Sequence, residues 1–141
     1  MEIAEAINEL LAQHLCKKLE EFAKTRSVPK DAFFSMDHAL AELLQNLVDH
    51  SGGNQAQVEM DFSNDLFKVT IRDNGKPYNL LDHRAVDMSI PFPDRPVGGL
   101  GIHMIRKLMD EVTYQSSEGW NTTVFVKRTQ ASPPPEPPFS H

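Results

Sequence analysis

The sequence predicts an α+β fold, a two-layer α/β sandwich in which about three helices pack on one face of a mostly antiparallel sheet of about four strands. Three observations predict it. The hydrophobic period is helical over roughly the first fifty residues and changes to two at Gln57. The alternating stretches then come in pairs that short polar turns separate, as in antiparallel hairpins. A third helical stretch follows a run of glycines near residue 100.

Two amphipathic helices are predicted before the sheet. The first covers residues 3–24, and the second runs from beyond Pro29 to about His50. Proline disfavours helix at the residue that precedes it, and the SGGN sequence at 51–54 supplies the glycine stop. Each helix has one apolar stripe, formed by Ile3, Ile7, Leu10, Leu11, Leu15, Leu19 and Phe22 in the first and by Met36, Leu40, Leu43, Leu44 and Leu47 in the second.

Two hairpins follow the helices. In the first, Val58, Met60 and Phe62 alternate with polar residues, a turn follows at SND, and Phe67, Val69 and Ile71 alternate again. The second hairpin joins residues 111–117 to 121–128 across EGW. Between the hairpins, residues 76–97 contain four prolines and no sustained period, and a helix is predicted from about Leu100 to Asp110. Long irregular loops of this kind are usually functional.

The length of 141 residues suits one domain, which we assign to residues 1–128. Residues 129–141 are rich in proline and are predicted to form a disordered, polyproline-like tail. The net charge of −6 argues against a nucleic-acid partner, because phosphate contacts need clustered Lys and Arg. No apolar run is long enough to span a membrane, the N-terminus is acidic, and Cys16 is the single cysteine. We therefore expect a cytoplasmic protein.

A polar row on the second helix is the first candidate for chemistry. Glu42, Asn46 and His50 are spaced four apart, so they lie along one helix face, away from the leucine stripe. Such a row can be a solvated surface. The amide oxygen of Asn46 is also a neutral ligand suited to Mg²⁺ that phosphates and water hold in place. Glu42 could then orient or deprotonate an attacking hydroxyl.

The end of the first hairpin is the second candidate. Asp73, Asn74 and Gly75 form a turn signature that needs no ligand to explain it. A carboxylate at a strand end can also accept a hydrogen bond from an exocyclic amino group such as that of adenine. The hydroxyl of Thr122 or of Thr123 could complete such a pocket, and the sequence does not decide between them.

The third candidate is the glycine run in GGLGIHMIRKLMD, residues 98–110. Glycine lets the backbone approach an anion closely, and the first turn of the following helix offers unpaired N–H groups to a phosphate. Glycines also form ordinary turns before helices, so this run is weak by itself.

These pieces together resemble a known family. ELLQNLVDH, RDNG, GGLGIHMIRKLMDEV and NTTVFVKR are similar, in order and spacing, to the N box, two glycine boxes and closing strand of GHKL ATPases. Over roughly residues 5–128 the chain looks most like the anti-sigma-factor serine/threonine protein kinases of bacterial partner-switching systems. The resemblance implies a Bergerat-type ATP-binding fold with ATP and Mg²⁺ as cofactors.

The resemblance also implies roles for individual residues. Asn46 would coordinate Mg²⁺ and Glu42 would be the catalytic carboxylate. Asp73 would bind adenine, and Gly75 would make room for the base. The phosphate-facing hinge and the start of the helix after it would comprise Gly99, Leu100, Gly101 and Ile102, with residues 76–97 as a lid over the triphosphate.

The chain departs from the family pattern in three places. Only Met1 and Glu2 precede the predicted first helix, whereas relatives usually begin with an edge strand that contributes to a dimer, so a homodimer remains an open expectation. Asn79 stands where an acidic residue is common, and Asn121 where many relatives have glycine. None of these departures removes a proposed ligand.

The expected function is therefore that of an ATP-binding serine-protein kinase and anti-sigma-type regulator. It would phosphorylate a serine on an antagonist, STAS-like protein, and the surface that meets this antagonist would also hold a sigma factor. One alternative is a module that binds ATP and sequesters a protein partner without phosphotransfer. Another is an interaction protein that binds no nucleotide.

Overall fold

The computed structural model describes residues 1–77 and 104–129. Within this part, the elements in chain order are β1 (Glu2–Ala6), α1 (Leu11–Arg26), α2 (Lys30–Asn46), a π-helical turn (Leu47–Ser51), β2 (Gln55–Ser63), β3 (Leu66–Asp73), β4 (Glu111–Ser117) and β5 (Trp120–Arg128). The strands form one antiparallel sheet in the order β1-β2-β3-β5-β4. The α+β prediction is confirmed, with five strands where about four were expected. None of the helices in these residues is long and apolar enough to cross a membrane.

The additional strand corrects the prediction of a helix from residue 3. Residues 2–6 pair with β2, so that Ile3 lies opposite Val58 at the edge of the sheet. The Ala and Glu residues of this segment favour helix, but pairing along a strand overrides such weak local preferences. Asn8 then begins the helical region, because its side-chain oxygen accepts a hydrogen bond of 2.8 Å from the N–H of Leu10. The N-terminal edge strand of the family pattern is therefore present.

The core lies between the helices and one face of the sheet. Alternate residues of β2, β3 and β5 turn inward and are buried: Ala56, Val58, Met60, Phe67, Val69, Ile71, Thr123 and Phe125. The apolar stripes of α1 and α2 cover them, and the rings of Phe22 and Phe67 stack with centroids 6.0 Å apart. Removing a fully buried ring such as that of Phe67 costs about 3–5 kcal/mol of stability.

Strand β5 lies beside β3, although the two belong to different hairpins. This pairing brings Asp73, the last residue of β3, opposite Asn121 near the start of β5. Asp73 and Asn121 then border the same cavity as the residues at the end of α2. The sheet order therefore unites polar groups from three separate stretches of the sequence.

Several predictions fall on residues outside the described part. The irregular segment from residue 78 and the glycine run lie there, as does the tail from residue 130. Of the predicted third helix, residues 104–108 are helical, and Ile105 is fully buried in the core. Thr129 is buried, and both its N–H and its hydroxyl donate to the carbonyl oxygen of Asp65.

Cys16 lies on α1 and is partly buried. Burial raises the pKa of its thiol to about 12, and the nearby carboxylate of Asp37 adds to this increase. Because the thiolate is the reactive form of cysteine, this thiol is a poor nucleophile at neutral pH.

Candidate functional site

A polar cavity lies where α2 ends against the ends of β3 and β5. Its lining combines apolar side chains from the helix with polar groups from the strands: Leu43, Asn46, Leu47, His50, Ser51, Asp73, Lys76, Tyr114, Asn121 and Thr123. A few polar groups directed into a mostly apolar pocket are a common feature of small-molecule sites, although the space enclosed by these residues, about 20 Å³, holds about one water molecule.

The helix that forms one wall changes its geometry at the cavity. It is α-helical to Asn46 and continues as a π-helical turn over Leu47–Ser51. Both Asn46 and His50 line the cavity from this wall. Gly52, with φ of +68°, then ends the turn in the left-handed region. Single π-helical turns are rare in proteins as a whole, but many of those that occur lie at functional sites. They redirect side chains that an α-helix would hold elsewhere.

The side chain of Asn46 contains an unpaired polar atom. Its Nδ2 is buried and has no hydrogen-bond partner within the described part of the chain. An unsatisfied buried amide costs about 1–3 kcal/mol, so this group needs a partner, which in a cavity can be water or a ligand. Rotation about χ2 exchanges the amide nitrogen and oxygen, so this position can also present an acceptor to a cation. The donor set therefore fits the expectation of a ligand at Asn46.

Asp73 lies on the opposite wall and is only 4% exposed. Its Oδ1 accepts hydrogen bonds from the N–H of Gly75 at 2.9 Å and from Asn121 Nδ2 at 3.0 Å. Both of these bonds use the same oxygen. The carboxylate is thus held in one orientation, which is the requirement for recognising a donor on a ligand.

Close packing leaves no room for a side chain at Gly75. A Cβ built on Gly75 would lie 2.5 Å from Cβ of Ser51 and 2.7 Å from the Ser51 carbonyl oxygen. That same carbonyl accepts a hydrogen bond of 2.7 Å from the N–H of Lys76. The turn after β3 therefore packs directly on the last residue of the π-helical turn, which fixes the two walls of the cavity against each other.

Asn74 ties this turn to the start of β2. Its Oδ1 accepts hydrogen bonds from the N–H groups of Asn54 and Gln55, at 2.9 and 3.0 Å, and its Nδ2 donates to Asn54 Oδ1 at 2.6 Å. Asn74 therefore supports the position of Asp73 without lining the cavity itself.

The two threonines of the closing strand lie on different faces of the sheet. Thr123 is 3% exposed and lines the cavity, whereas Thr122 points to the outer face beside Arg72 and Gln115. This alternation follows from the period of two along a strand. Of the alternatives that the sequence left open, Thr123 is the residue placed beside Asp73.

Glu42 occupies a different place. It is partly buried and lies one helical turn before Asn46, but it is not among the described residues that line the cavity. Asp49, farther along, is exposed and accepts a hydrogen bond of 3.0 Å from Gln45. Of the other predicted site residues, Gly99, Leu100, Gly101 and Ile102 lie outside the described part.

Sequence reasoning missed four polar residues that line the cavity, namely Ser51, Lys76, Tyr114 and Asn121. Asn121 was noted only as a departure from a family pattern, yet it donates one of the two hydrogen bonds that hold Asp73. The available signal was that Asn121 is a polar residue at an inward position of an alternating strand. A polar group there must have hydrogen-bond partners inside the protein.

The described residues contain no group of three or more His, Cys, Asp and Glu side chains that could hold a metal by themselves. A magnesium ion at Asn46 would therefore take most of its ligands from phosphate oxygens and water, as Mg²⁺ commonly does.

Comparison with known protein families identifies the family of this chain. The family described as Histidine kinase-like ATPase domain matches residues 4–127. The chain belongs to this family. Among the strand and helix residues described above, the match leaves out only Glu2 and Ile3 of β1 and Arg128 of β5, and it includes all the residues that line the cavity.

Relatives of this ATPase domain include named protein kinases. Serine-protein kinase RsbW of Bacillus cereus is 26% identical over 109 residues, covering 71% of this chain and 68% of that protein. RsbW of Halalkalibacterium halodurans is 30% identical over 100 residues, covering 65% and 62%. Serine/threonine-protein kinase BtrW of Bordetella bronchiseptica is 27% identical over 92 residues, covering 62% and 65%. All three of these relatives are named as serine or serine/threonine protein kinases.

Solved structures agree on the fold. The RsbU and RsbW domains of Rv1364c from Mycobacterium tuberculosis superpose with a TM-score of 0.64 at 15% identity, covering 92% of this chain and 32% of that chain. This chain thus matches about a third of the length of that solved chain. Histidine kinase AdeS of Acinetobacter baumannii gives a TM-score of 0.51 at 12% identity, covering 92% and 68%.

Proposed function

We propose that this ATPase domain is an ATP-dependent serine/threonine protein kinase of a bacterial partner-switching system. Its substrate would be a serine on a small antagonist protein of the STAS-like class, and its second partner a sigma factor. Phosphorylation of the antagonist would decide which of the two partners is bound. The protein would act in the cytoplasm, as a homodimer or as a monomer.

One observation supports ATP as the ligand above the others: the unpaired amide of Asn46 and the fixed carboxylate of Asp73 line opposite walls of one cavity. Asp73 would accept a hydrogen bond from the amino group of adenine, with Thr123 beside it. Gly75 would let the base approach the turn. Asn46 would face the phosphates and hold Mg²⁺ between them.

The chemistry requires one proton transfer. Glu42 would accept the proton of the substrate serine, whose oxygen attacks the γ-phosphorus of ATP while the bond to the β-phosphate oxygen breaks and ADP leaves. When bound, Mg²⁺ neutralises charge on the phosphate oxygens. Gly99, Leu100, Gly101 and Ile102 would donate backbone N–H groups to the phosphates, since the start of a helix favours anions.

The test is phosphotransfer to a candidate antagonist. The full chain is incubated with ATP, Mg²⁺ and the small antagonist-like proteins encoded near its gene, and phosphoserine is located by mass spectrometry. Glu42→Gln should reduce the rate at least about a hundredfold, because general base catalysis contributes about 10²–10⁴. Its affinity for ATP in calorimetry should stay within about twofold.

Glu59→Gln is the matched control, because Glu59 is an exposed carboxylate on β2, away from the cavity. Its phosphotransfer rate should equal that of the wild type. Equal rates for Glu42→Gln and the wild type would remove Glu42 from the mechanism.

The position of Glu42 outside the described cavity lining favours a second candidate function, in which ATP is a regulatory ligand and the partner is sequestered without phosphotransfer. Tight ATP binding and partner binding, with no phosphoserine on any antagonist offered, would support this alternative. Absence of nucleotide binding would refute both functions.

A further inference from the structure

We infer that Asn121 sets which purine the cavity accepts, by occupying one oxygen of the Asp73 carboxylate so that a base can use only the other. The occupied carboxylate favours adenine over guanine. This inference rests on the proposed function, since it takes Asp73 as the group that receives the base.

Asn121 is 2% exposed and joins three segments of the chain. Its Nδ2 lies 3.0 Å from Asp73 Oδ1, 3.0 Å from the carbonyl oxygen of Gly75 and 3.2 Å from that of Lys76. Its Oδ1 accepts a hydrogen bond of 2.9 Å from the hydroxyl of Tyr114. The two hydrogens of the nitrogen are shared among these three acceptors, and the Tyr114 hydroxyl occupies the oxygen, so the amide has one favourable orientation.

The consequence for Asp73 follows from counting acceptor sites. A carboxylate oxygen has two lone pairs, and Oδ1 already receives the N–H of Gly75 and an N–H of Asn121. One oxygen is thus saturated and fixed in the protein. A ligand that approaches Asp73 finds at most the acceptor capacity of Oδ2.

The two purines differ in what they need from a carboxylate. Adenine presents one amino group, flanked by ring acceptors, so a single oxygen satisfies it. Guanine presents its ring N1–H beside its amino group, a pair that a carboxylate binds best with both oxygens. A carboxylate with one saturated oxygen therefore loses half of its potential interaction with guanine and none of that with adenine.

The experiment measures selectivity rather than affinity alone. Binding of ATP and of GTP to the full chain, each with Mg²⁺, is measured by titration calorimetry for the wild type, Asn121→Ala and Tyr114→Phe. The wild type should prefer ATP. In Asn121→Ala the Kd for ATP should rise about tenfold while that for GTP stays constant or falls, so that the preference decreases at least about tenfold.

Tyr114→Phe keeps the ring and removes only the hydroxyl that orients Asn121. The preference of this variant for ATP over GTP should therefore also decrease, by about threefold. Thr122→Ala is the matched control, because Thr122 adjoins Asn121 on β5 and faces the other side of the sheet. Its ratio of the two Kd values should equal that of the wild type.

Two results would overturn the inference. The first is a folded Asn121→Ala variant that loses affinity for ATP and GTP by the same factor, as a purely structural residue would. The second is a Tyr114→Phe variant whose ratio of the Kd values for GTP and ATP equals that of the wild type. This result decides the question if Asn121→Ala does not fold. A wild type that binds no nucleotide refutes the proposed function instead, and the two failures are thus distinct.

Discussion

Strand β3 begins and ends at turns made from the same residue types, and the two turns differ in how they are stabilised. At its start, Asn64 and Asp65 are exposed and adopt positive φ values of 53° and 60°. At its end, Asp73 is buried and Asn74 partly buried, and their side chains make hydrogen bonds to residues 19–48 positions away. In the first turn only the backbone carbonyl of Asp65 is bonded to a distant residue, Thr129, among the contacts described, whereas in the second turn the side chains themselves make the long-range bonds.

The first turn only connects two strands, whereas the second forms part of the candidate site. Asn and Asp tolerate the left-handed conformation that a two-residue hairpin turn requires, so the first turn needs little beyond its own backbone. In the second turn the polar side chains are directed inward, where each must have a partner. Substitutions at the first turn should therefore change stability slightly, whereas those at the second should change stability, ligand binding or both.

The largest effect is expected from Gly75→Ala. The new methyl group would lie 2.5 Å from Cβ of Ser51, so the turn and the π-helical turn must move apart. We expect the free energy of unfolding in urea to fall by about 3 kcal/mol, the upper range for overpacking. A loss below about 1 kcal/mol would contradict the close packing of the two segments.

Asp73→Asn should have the next largest effect, on binding. A hydrogen bond to a charged group contributes about 1.5–3 kcal/mol, so the Kd for ATP in calorimetry should rise about 10- to 100-fold. Asp65→Asn makes the same change in the exposed turn and serves as the control. Equal affinities of the Asp73→Asn variant and the wild type would exclude Asp73 as the base-binding group.

Asn74→Ala should lower the free energy of unfolding by about 1–3 kcal/mol, because it removes the acceptor for two backbone N–H groups. Hydrogen exchange gives a local readout: the amides of Asn54 and Gln55 should exchange faster, and those of β5 should not. Uniformly faster exchange across the sheet would indicate global destabilisation instead.

The smallest effect is expected from Asp65→Gly. Glycine adopts the positive φ of this position without steric cost but loses more entropy on folding, and the two terms oppose each other. The free energy of unfolding should change by no more than about 0.5 kcal/mol. A loss of 2 kcal/mol or more would show that the exposed Asp65 side chain contributes more to this turn than its exposure implies.

Local pattern was enough to predict most elements and the two walls of the site. The alternation around Phe67 and the stripe around Leu40 are strong periodic signals, and both Asn46 and Asp73 were recognised at ends of such elements. Strand β1 was missed because a five-residue segment at a sheet edge has no period that outweighs its Ala and Glu content.

The remainder depends on pairing between distant strands. The choice between Thr122 and Thr123 follows from the register of β5 against β3, and a shift of one residue would exchange their faces. The bond from Asn121 to Asp73 likewise exists only after that pairing. No short stretch of sequence contains this information.

The pairing of β3 with β5 also has a consequence for how the chain folds. Asp73 and Asn121 are 48 residues apart, so the loop between them must close before they meet, and long-range strand pairing of this kind is slow. We therefore expect the cavity to form late, after each hairpin has formed. A nucleotide that bound in this cavity would bind only molecules in which β3 and β5 are already paired. By mass action it would therefore shift the folding equilibrium towards the folded state.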